Sequence, residues 1–197
     1  MLRPSRAVIL AAGHGSRMLP LTRHTPKPLL PFANEPTLFR TLRILREWGV
    51  TDALINAHHL GPELLATLVQ HPVDGIRLTL SYEPTLLGTG GPLLRNLGFL
   101  PPNESFWLFN ADVAFDVDPA PLLRHHARHR PLATLWMHPS RGPRTVRVAE
   151  DHRVTSFRDP EPRSPGTQTF TGLHLISPRF RKRLEADHEE ERFCSII

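Results

Sequence analysis

The chain has 197 residues, 40% of them hydrophobic, with 24 Lys+Arg against 19 Asp+Glu and a formal charge of +5. That length and apolar content exclude a fibrous or disordered chain and fit one domain with a sizeable core, while the arginine-dominated charge suits polyanions without separating a nucleotide from RNA. Cys194 stands alone, which excludes an internal disulfide framework and favours an intracellular setting, and the N-terminal apolar run breaks too soon for a secretion signal or a membrane span, so a cytoplasmic protein is expected.

Residues 6–12 predict a buried parallel strand, because Val8, Ile9 and Leu10 run together without strict alternation. The run breaks into Gly13-His14-Gly15-Ser16-Arg17, and Lys27 follows after a stretch stiffened by Pro20 and Pro26, with Pro28 and Pro31 just beyond. Gly13 and Gly15 would let backbone N–H groups approach an oxyanion, with an ordinary turn as the competing account. Arg17 offers a guanidinium fork to phosphate oxygens and Lys27 a mobile point charge. Two nucleotide motifs are excluded: Met18 stands where a dinucleotide fingerprint needs Gly or Ala, and Met18-Leu19-Pro20 cannot complete a Walker loop.

Residues 35–48 predict a helix with Leu38, Leu42, Leu45 and Trp48 inward, ended by Gly49. A strand over 52–57, a helix over 62–69 and a strand over 76–82 complete a βαβα order that calls for a mostly parallel sheet covered by helices. The glycine-rich loop Glu83 to Pro92 leaves that strand at its carboxyl end, where such sheets hold ligands. Thr89 there is either a helix cap or part of a surface for base and ribose; Glu83 either accepts hydrogen bonds from a base or faces solvent.

Residues 105–113 give the strongest downstream strand, delivering Asn110 and Asp112 to the same edge as the first loop. A carboxylate set against Arg17, Lys27 and phosphates calls for a cation, and Mg²⁺ resolves the conflict; the start of a turn is the competing role for Asp112. Residues 119–128 predict a helix with Leu122, Leu123 and Ala127 inward and a solvated basic face bearing His125, His126 and His129. Neither this cluster nor His58-His59 has the spacing of a closed metal site, and neither is interleaved with aromatics as a nucleic-acid platform requires. Residues 132–138 return to the sheet, 144–150 and 153–158 form an antiparallel pair, 170–177 is a strand with backbone exposed at Gly172, and 178–184 is a short helix. A polar run over 185–192 precedes the apolar end Phe193 to Ile197, read as either a buried final strand or a boundary cutting through an element, an edge that a second subunit or further residues would cover.

Taken together, Leu10-Ala11-Ala12-Gly13-His14-Gly15-Ser16-Arg17-Met18-Leu19-Pro20-Leu21-Thr22, Thr25-Pro26-Lys27-Pro28-Leu29-Leu30-Pro31, Glu83 with Leu87-Gly88-Thr89-Gly90-Gly91, Asn110-Ala111-Asp112 and Phe170-Thr171-Gly172 resemble the sugar-1-phosphate nucleotidyltransferases. Asn56-Ala57-His58-His59-Leu60 looks most like the N-acetylmuramate-1-phosphate uridylyltransferase branch, with mannose-1-phosphate guanylyltransferases as near relatives. The resemblance implies an α/β fold, a Rossmann-like mostly parallel sheet flanked by helices with a small antiparallel appendage on the sugar side. It implies transfer of a nucleoside monophosphate from an NTP, UTP favoured and GTP or dTTP possible, to a sugar 1-phosphate with release of pyrophosphate. Gly13 and Gly15 would contact the triphosphate, Arg17 its departing end and Lys27 the phosphates near the reacting centre. Leu10, Ala12, Glu83, Gly88 and Thr89 would surround base and ribose, Asn110 would join the nucleotide site, Asp112 would bind Mg²⁺ and Gly172 would border the sugar.

Several residues depart from the family pattern. Ala111 replaces a glycine, Asn34 stands where glycine is usual, and Phe157-Arg158-Asp159-Pro160 puts Asp159 where a lysine serves the sugar phosphate, with Arg158 or Arg163 as substitutes. Relatives also continue into a Trp-x-Asp-x-Gly-Thr-Pro stretch with a second metal-binding aspartate. The expectation is therefore a single nucleotidyltransferase domain over 1–197 lacking its C-terminal segment. The competing function is a catalytically weak nucleotide-binding regulatory paralogue.

Overall fold

The computed structural model describes residues 3–186, so the expected polar run beyond residue 186 and the apolar end at 193–197 lie outside the described residues. The first half builds the parallel part of one sheet: β1 (Arg6–Leu10) pairs in parallel with β4 (Asp52–Ala57) on one side and β6 (Phe106–Asn110) on the other, and β4 pairs in parallel with β5 (Arg77–Tyr82). The helices α1 (Thr37–Glu47), α2 (Gly61–Gln70), α3 (Gly91–Arg95), α4 (Ala120–His129) and α5 (Pro178–Ala186) lie between or after the strands. The sheet then changes sense. The long β10 (Thr167–Ile176) runs antiparallel to β6, to β7 (Ala133–His138) and to β8 (Val146–Val148), and β8 pairs with β9 (Val154–Ser156). The β8–β9 ribbon is the expected antiparallel appendage, and the order β5-β4-β1-β6-β10-β8-β9 is the expected Rossmann-like core.

Alternation along the buried strands supplies two faces. Ala7, Ile9, Ala53, Ile55, Trp107 and Phe109 pack beneath Leu38, Leu42 and Leu45 of α1, where Trp48 meets Trp107 and Phe109 at ring centroid distances of 5.0 and 5.9 Å. Val8, Leu54, Phe106 and Leu108 face the other way against Leu93, Leu100 and Leu184. Both faces being apolar is why these strands read as continuous hydrophobic runs.

Three local expectations are corrected. The helix expected from residue 35 starts at Thr37, because Glu35–Pro36 (β3) pairs with Pro31–Phe32 (β2) in a small hairpin. Its two turn residues, Ala33 and Asn34, have φ of 50° and 65°. A tight hairpin needs that left-handed pair, and asparagine adopts it readily, which accounts for Asn34 in a place where glycine is usual. In α4 the inward residue is His126, 8% exposed, and Ala127 is exposed. His126 is bonded through Nδ1 to Thr134 Oγ1 at 2.8 Å and through Nε2 to Ser105 Oγ at 3.2 Å, so the face is not a wholly solvated basic one. Gly90, not Thr89, occupies the N-cap place of α3.

Candidate active site

The first three parallel strands of the sequence and β6 end at one edge, and the connection from β5 to β6 crosses β1, so the crevice above β1 is a topological switch point of the kind at which α/β sheets hold ligands. Leu10 ends β1 and its carbonyl accepts the Ala111 N–H at 3.0 Å, sealing the exits of β1 and β6 together. Ala12 is buried behind the turn, and the Ala111 methyl points into the core cluster rather than lying free beside Asp112.

The glycine loop then doubles back. Gly15 sits at φ +65°, and a Cβ there would lie 2.7 Å from Thr22 Cγ2 and 3.2 Å from Lys27 Cβ. The fully buried Thr22 donates from Oγ1 to the Gly15 carbonyl at 2.9 Å, and short 3-10 turns over Ser16–Met18, Leu21–Arg23 and Lys27–Leu29 fold the rest. Gly13 is different: a Cβ there would meet nothing within 4 Å, so open space lies over its backbone. Arg17 is exposed on the first of these turns. Lys27 Nζ forms an ion pair with the Asp112 carboxylate, the two side chains being 20% and 36% exposed. The structure thus brings together Gly15, Lys27 and Asp112 across 97 residues of sequence, with Arg17 on the same loop.

Glu83 is fully buried rather than solvating. Its Oε1 accepts from Asn56 Nδ2 at 2.7 Å and its Oε2 from the Leu87 N–H at 3.1 Å, while Asn56 Oδ1 accepts the Ala11 N–H at 2.7 Å. One relay therefore ties the exits of β1, β4 and β5 and sets the loop carrying Gly88, at φ +79°, and the partly buried Thr89. His58 Nδ1 is bonded to the Glu83 carbonyl at 2.8 Å and His59 Nε2 to the Thr22 carbonyl at 3.1 Å; since carbonyls only accept, both rings donate there and brace the loops. Asn56 and Thr22 were not singled out from sequence as site residues. The available signal for Asn56 was its place as a polar residue ending an apolar strand, the same signal that marked Asn110.

On the other flank, Gly172 lies in an irregular stretch of β10 at φ +85°, where a Cβ would be 3.0 Å from Asn110 Nδ2 and from Val113 Cγ2. Its backbone helps to line a cavity of about 500 Å³ walled by Phe109, Phe115 and Trp136 and edged by His138 and Arg141. Asp159 is buried, and the Arg147 guanidinium grips it through Nε and, at 2.9 Å, through Nη2; this pairing holds the Asp159 carboxyl below the usual carboxylate range. Asp159 is therefore an internal anchor of the β8–β9 ribbon, while Arg158 and Arg163 are exposed.

Mg²⁺ can be tested against these donors. Among the described residues no group of three or more His, Cys, Asp or Glu could hold a metal ion by itself. Mg²⁺ bound beside a polyphosphate keeps waters and takes phosphate oxygens with only one or two carboxylates, so the accessible Asp112 fits as a single protein ligand. No helix among the described residues is long and apolar enough to cross a membrane.

Residues 6–170 match the family described as Nucleotidyl transferase. Mannose-1-phosphate guanyltransferase beta-B of Xenopus laevis is 30% identical over 186 residues, covering 91% of this chain and 52% of the relative. The mannose-1-phosphate guanylyltransferase catalytic subunit beta of Drosophila pseudoobscura pseudoobscura is 30% identical over 186 residues, covering 92% and 50%. The chain thus spans about half the length of these curated relatives. Among solved structures, HddC from Yersinia pseudotuberculosis superposes with a TM-score of 0.77 at 21% identity, covering 96% of this chain and 82% of that one, and a UDP-glucose pyrophosphorylase complexed with UDP-glucose with a TM-score of 0.73 at 15% identity, covering 96% and 84%. These two show the shared fold. The signature loop, the sheet order and the family match agree, and the chain belongs to the nucleotidyl transferase family, among the sugar-1-phosphate nucleotidyltransferases.

Proposed function

We propose that this chain forms the transferase region of an enzyme that joins the nucleoside monophosphate of an NTP to a sugar 1-phosphate, giving an NDP-sugar and pyrophosphate. The observation that carries this reading is the Lys27–Asp112 pair, formed where the glycine loop returns to the end of β6. An attacking sugar-phosphate oxygen forms a bond to the α-phosphorus as the bond between that phosphorus and its bridging oxygen breaks, the electron pair leaving on pyrophosphate. The acceptor is already an anion, so no protein base is required, and the chain contributes orientation and charge.

In this reading the backbone at Gly13 and Gly15 contacts the triphosphate, and Arg17 binds the departing pyrophosphate. Lys27 neutralises the phosphates at the reacting centre. Asp112 would hold Mg²⁺, which supplies charge neutralisation and alignment of phosphate oxygens. Leu10, Ala12, Gly88, Thr89 and Asn110 frame the nucleoside, and Glu83 acts through its bond to the Leu87 N–H, shaping the loop that meets the base. The cavity beside Gly172 takes the sugar.

The Asn56 to Leu60 stretch favours UTP, whereas the named guanylyltransferase relatives favour GTP. A panel of GTP, UTP, dTTP and CTP against mannose, glucose and N-acetylmuramate 1-phosphates, with products weighed by mass spectrometry, decides the matter. One NDP-sugar is expected, formed with Mg²⁺ and abolished by a chelator; nucleotide binding without product across the panel would instead indicate a regulatory protein.

A further inference from the structure

The cavity beside Gly172 is aromatic and aliphatic except at a few places, and its lining contains one permanent cation, Arg141, and one carboxylate, Asp116. A hexose phosphate makes complementary demands: its hydroxyls donate to a carboxylate and its phosphate needs a cation. Two guanidiniums beside the neighbouring ribbon are committed within it. Arg147 is engaged by Asp159 and Ser164, and Arg144 donates from Nε to the Thr167 carbonyl at 3.0 Å and from Nη2 to the Ser164 carbonyl at 2.9 Å. Arg141 is exposed at the cavity edge and takes part in no ion pair among the described residues.

The turn that carries Arg141 is held in place. His138 Nδ1 accepts the backbone N–H of Ser140 at 3.2 Å and of Arg141 at 2.9 Å, an arrangement that assigns the proton of the neutral ring to Nε2. Gly142 follows at φ +82° with the place of its missing Cβ only 2.8 Å from Thr169 Cγ2, and the Arg144 N–H donates to Thr169 Oγ1 at 2.8 Å. Thr169 and Gly172 lie three residues apart on β10, so one strand fixes both the backbone along the cavity and the turn at its edge.

We propose that Arg141, with the Nε2–H of His138, clamps the phosphate of the acceptor sugar 1-phosphate at the mouth of this cavity, with Asp116 left to accept from sugar hydroxyls. The inference rests on the transferase reading for its ligand. Arg141 touches the acceptor and not the nucleotide, so Arg141→Ala is expected to raise the KM for the sugar 1-phosphate about 10- to 100-fold, the range for losing a hydrogen bond to a charged group, and to leave the KM for the NTP within about twofold. Arg141→Lys is expected to recover part of the loss, as a charge without the fork would.

The experiment pairs these kinetics with calorimetric binding of glucose, mannose and N-acetylmuramate 1-phosphates and the three phosphate-free sugars, in the presence of a non-hydrolysable NTP analogue with Mg²⁺. Weaker binding of the phosphorylated sugars alone in Arg141→Ala supports the clamp. Turnover by the natural chain with an unchanged acceptor KM in Arg141→Ala overturns the clamp and leaves the transferase reading standing. Arg141-dependent binding without product from any NTP overturns the transferase reading and leaves the clamp standing, and no binding of any of the three 1-phosphates to the natural chain overturns both. Arg141 is exposed, so matched thermal melts serve as the folding control.

Discussion

Gly13 and Gly15 sit two residues apart and answer to different constraints. Gly15 is required by packing and by backbone angle, with Thr22 and Lys27 occupying the space of a side chain, whereas Gly13 faces open space. Gly15→Ala should therefore lower stability by about 1–3 kcal/mol, the cost of a strained backbone with a close contact, read as a shift of the urea midpoint. An unchanged midpoint would show that the loop is not folded back as described. At this scale the sequence was partly readable: the apolar strand over 105–113 delivers Asp112 to the edge that carries Arg17 and Lys27, and Asp112 pairs with Lys27 there, but the burial of Glu83 depends on Asn56 and the Leu87 N–H, partners 27 residues away and four residues on, which no local pattern names.

Among the elements, the buried strands and the helix bearing Leu38, Leu42 and Leu45 were legible from apolar runs and helical spacing. The β2–β3 hairpin was not, because two-residue strands have no periodicity and Ala33-Asn34 is a weak turn signal without glycine. The spacing predicts His126 on the solvated face of α4, and it lies inward because Thr134 and Ser105, on other segments, engage its two ring nitrogens. The tie between β1, β4 and β5 gives this scale its own test. Asn56→Ala leaves the Ala11 N–H and one Glu83 oxygen without their partner, and should destabilise the protein by at least about 2 kcal/mol. It should also weaken nucleotide binding, because the displaced loops are those proposed to frame the base. Chemical denaturation with a parallel nucleotide titration checks both, and a stable variant with normal binding would mean that the relay does not position the site.

At the scale of the whole molecule, the change from parallel to antiparallel pairing at β10 puts the glycine loop and the aromatic cavity on opposite flanks of the β6 exit, so that Asp112 stands between them in the chain's path. The parallel half and the β8–β9 ribbon were foreseeable from element order; the role of β10 as the strand shared by both halves was not, since nothing local distinguishes an antiparallel partner. Two buried histidines link this architecture to pH. Burial pushes His126 and His174 down to about 4, His126 also feeling His125 and Arg179, from an ordinary value of 6.5. The unfolded chain binds more protons than the native one between those values, so stability present in full above pH 6.5 falls as the pH drops through 6.5 toward 4, by roughly 1.4 kcal/mol per unit for each group. Urea midpoints at pH 7, 5.5 and 4.5 should decline in that order, and His126→Gln should flatten the decline; a midpoint independent of pH would contradict the burial of both rings as neutral groups.

Lys27 and Asp112 are proposed to form one polyphosphate and metal site, and calorimetric titration of GTP and UTP with and without Mg²⁺ into the natural chain, Lys27→Ala and Asp112→Asn reads that site directly. The predicted result is binding by the natural chain that strengthens with Mg²⁺, at least about tenfold weaker binding by Lys27→Ala, and loss of the Mg²⁺ effect in Asp112→Asn. Equal affinity and equal Mg²⁺ dependence in all three proteins would contradict it.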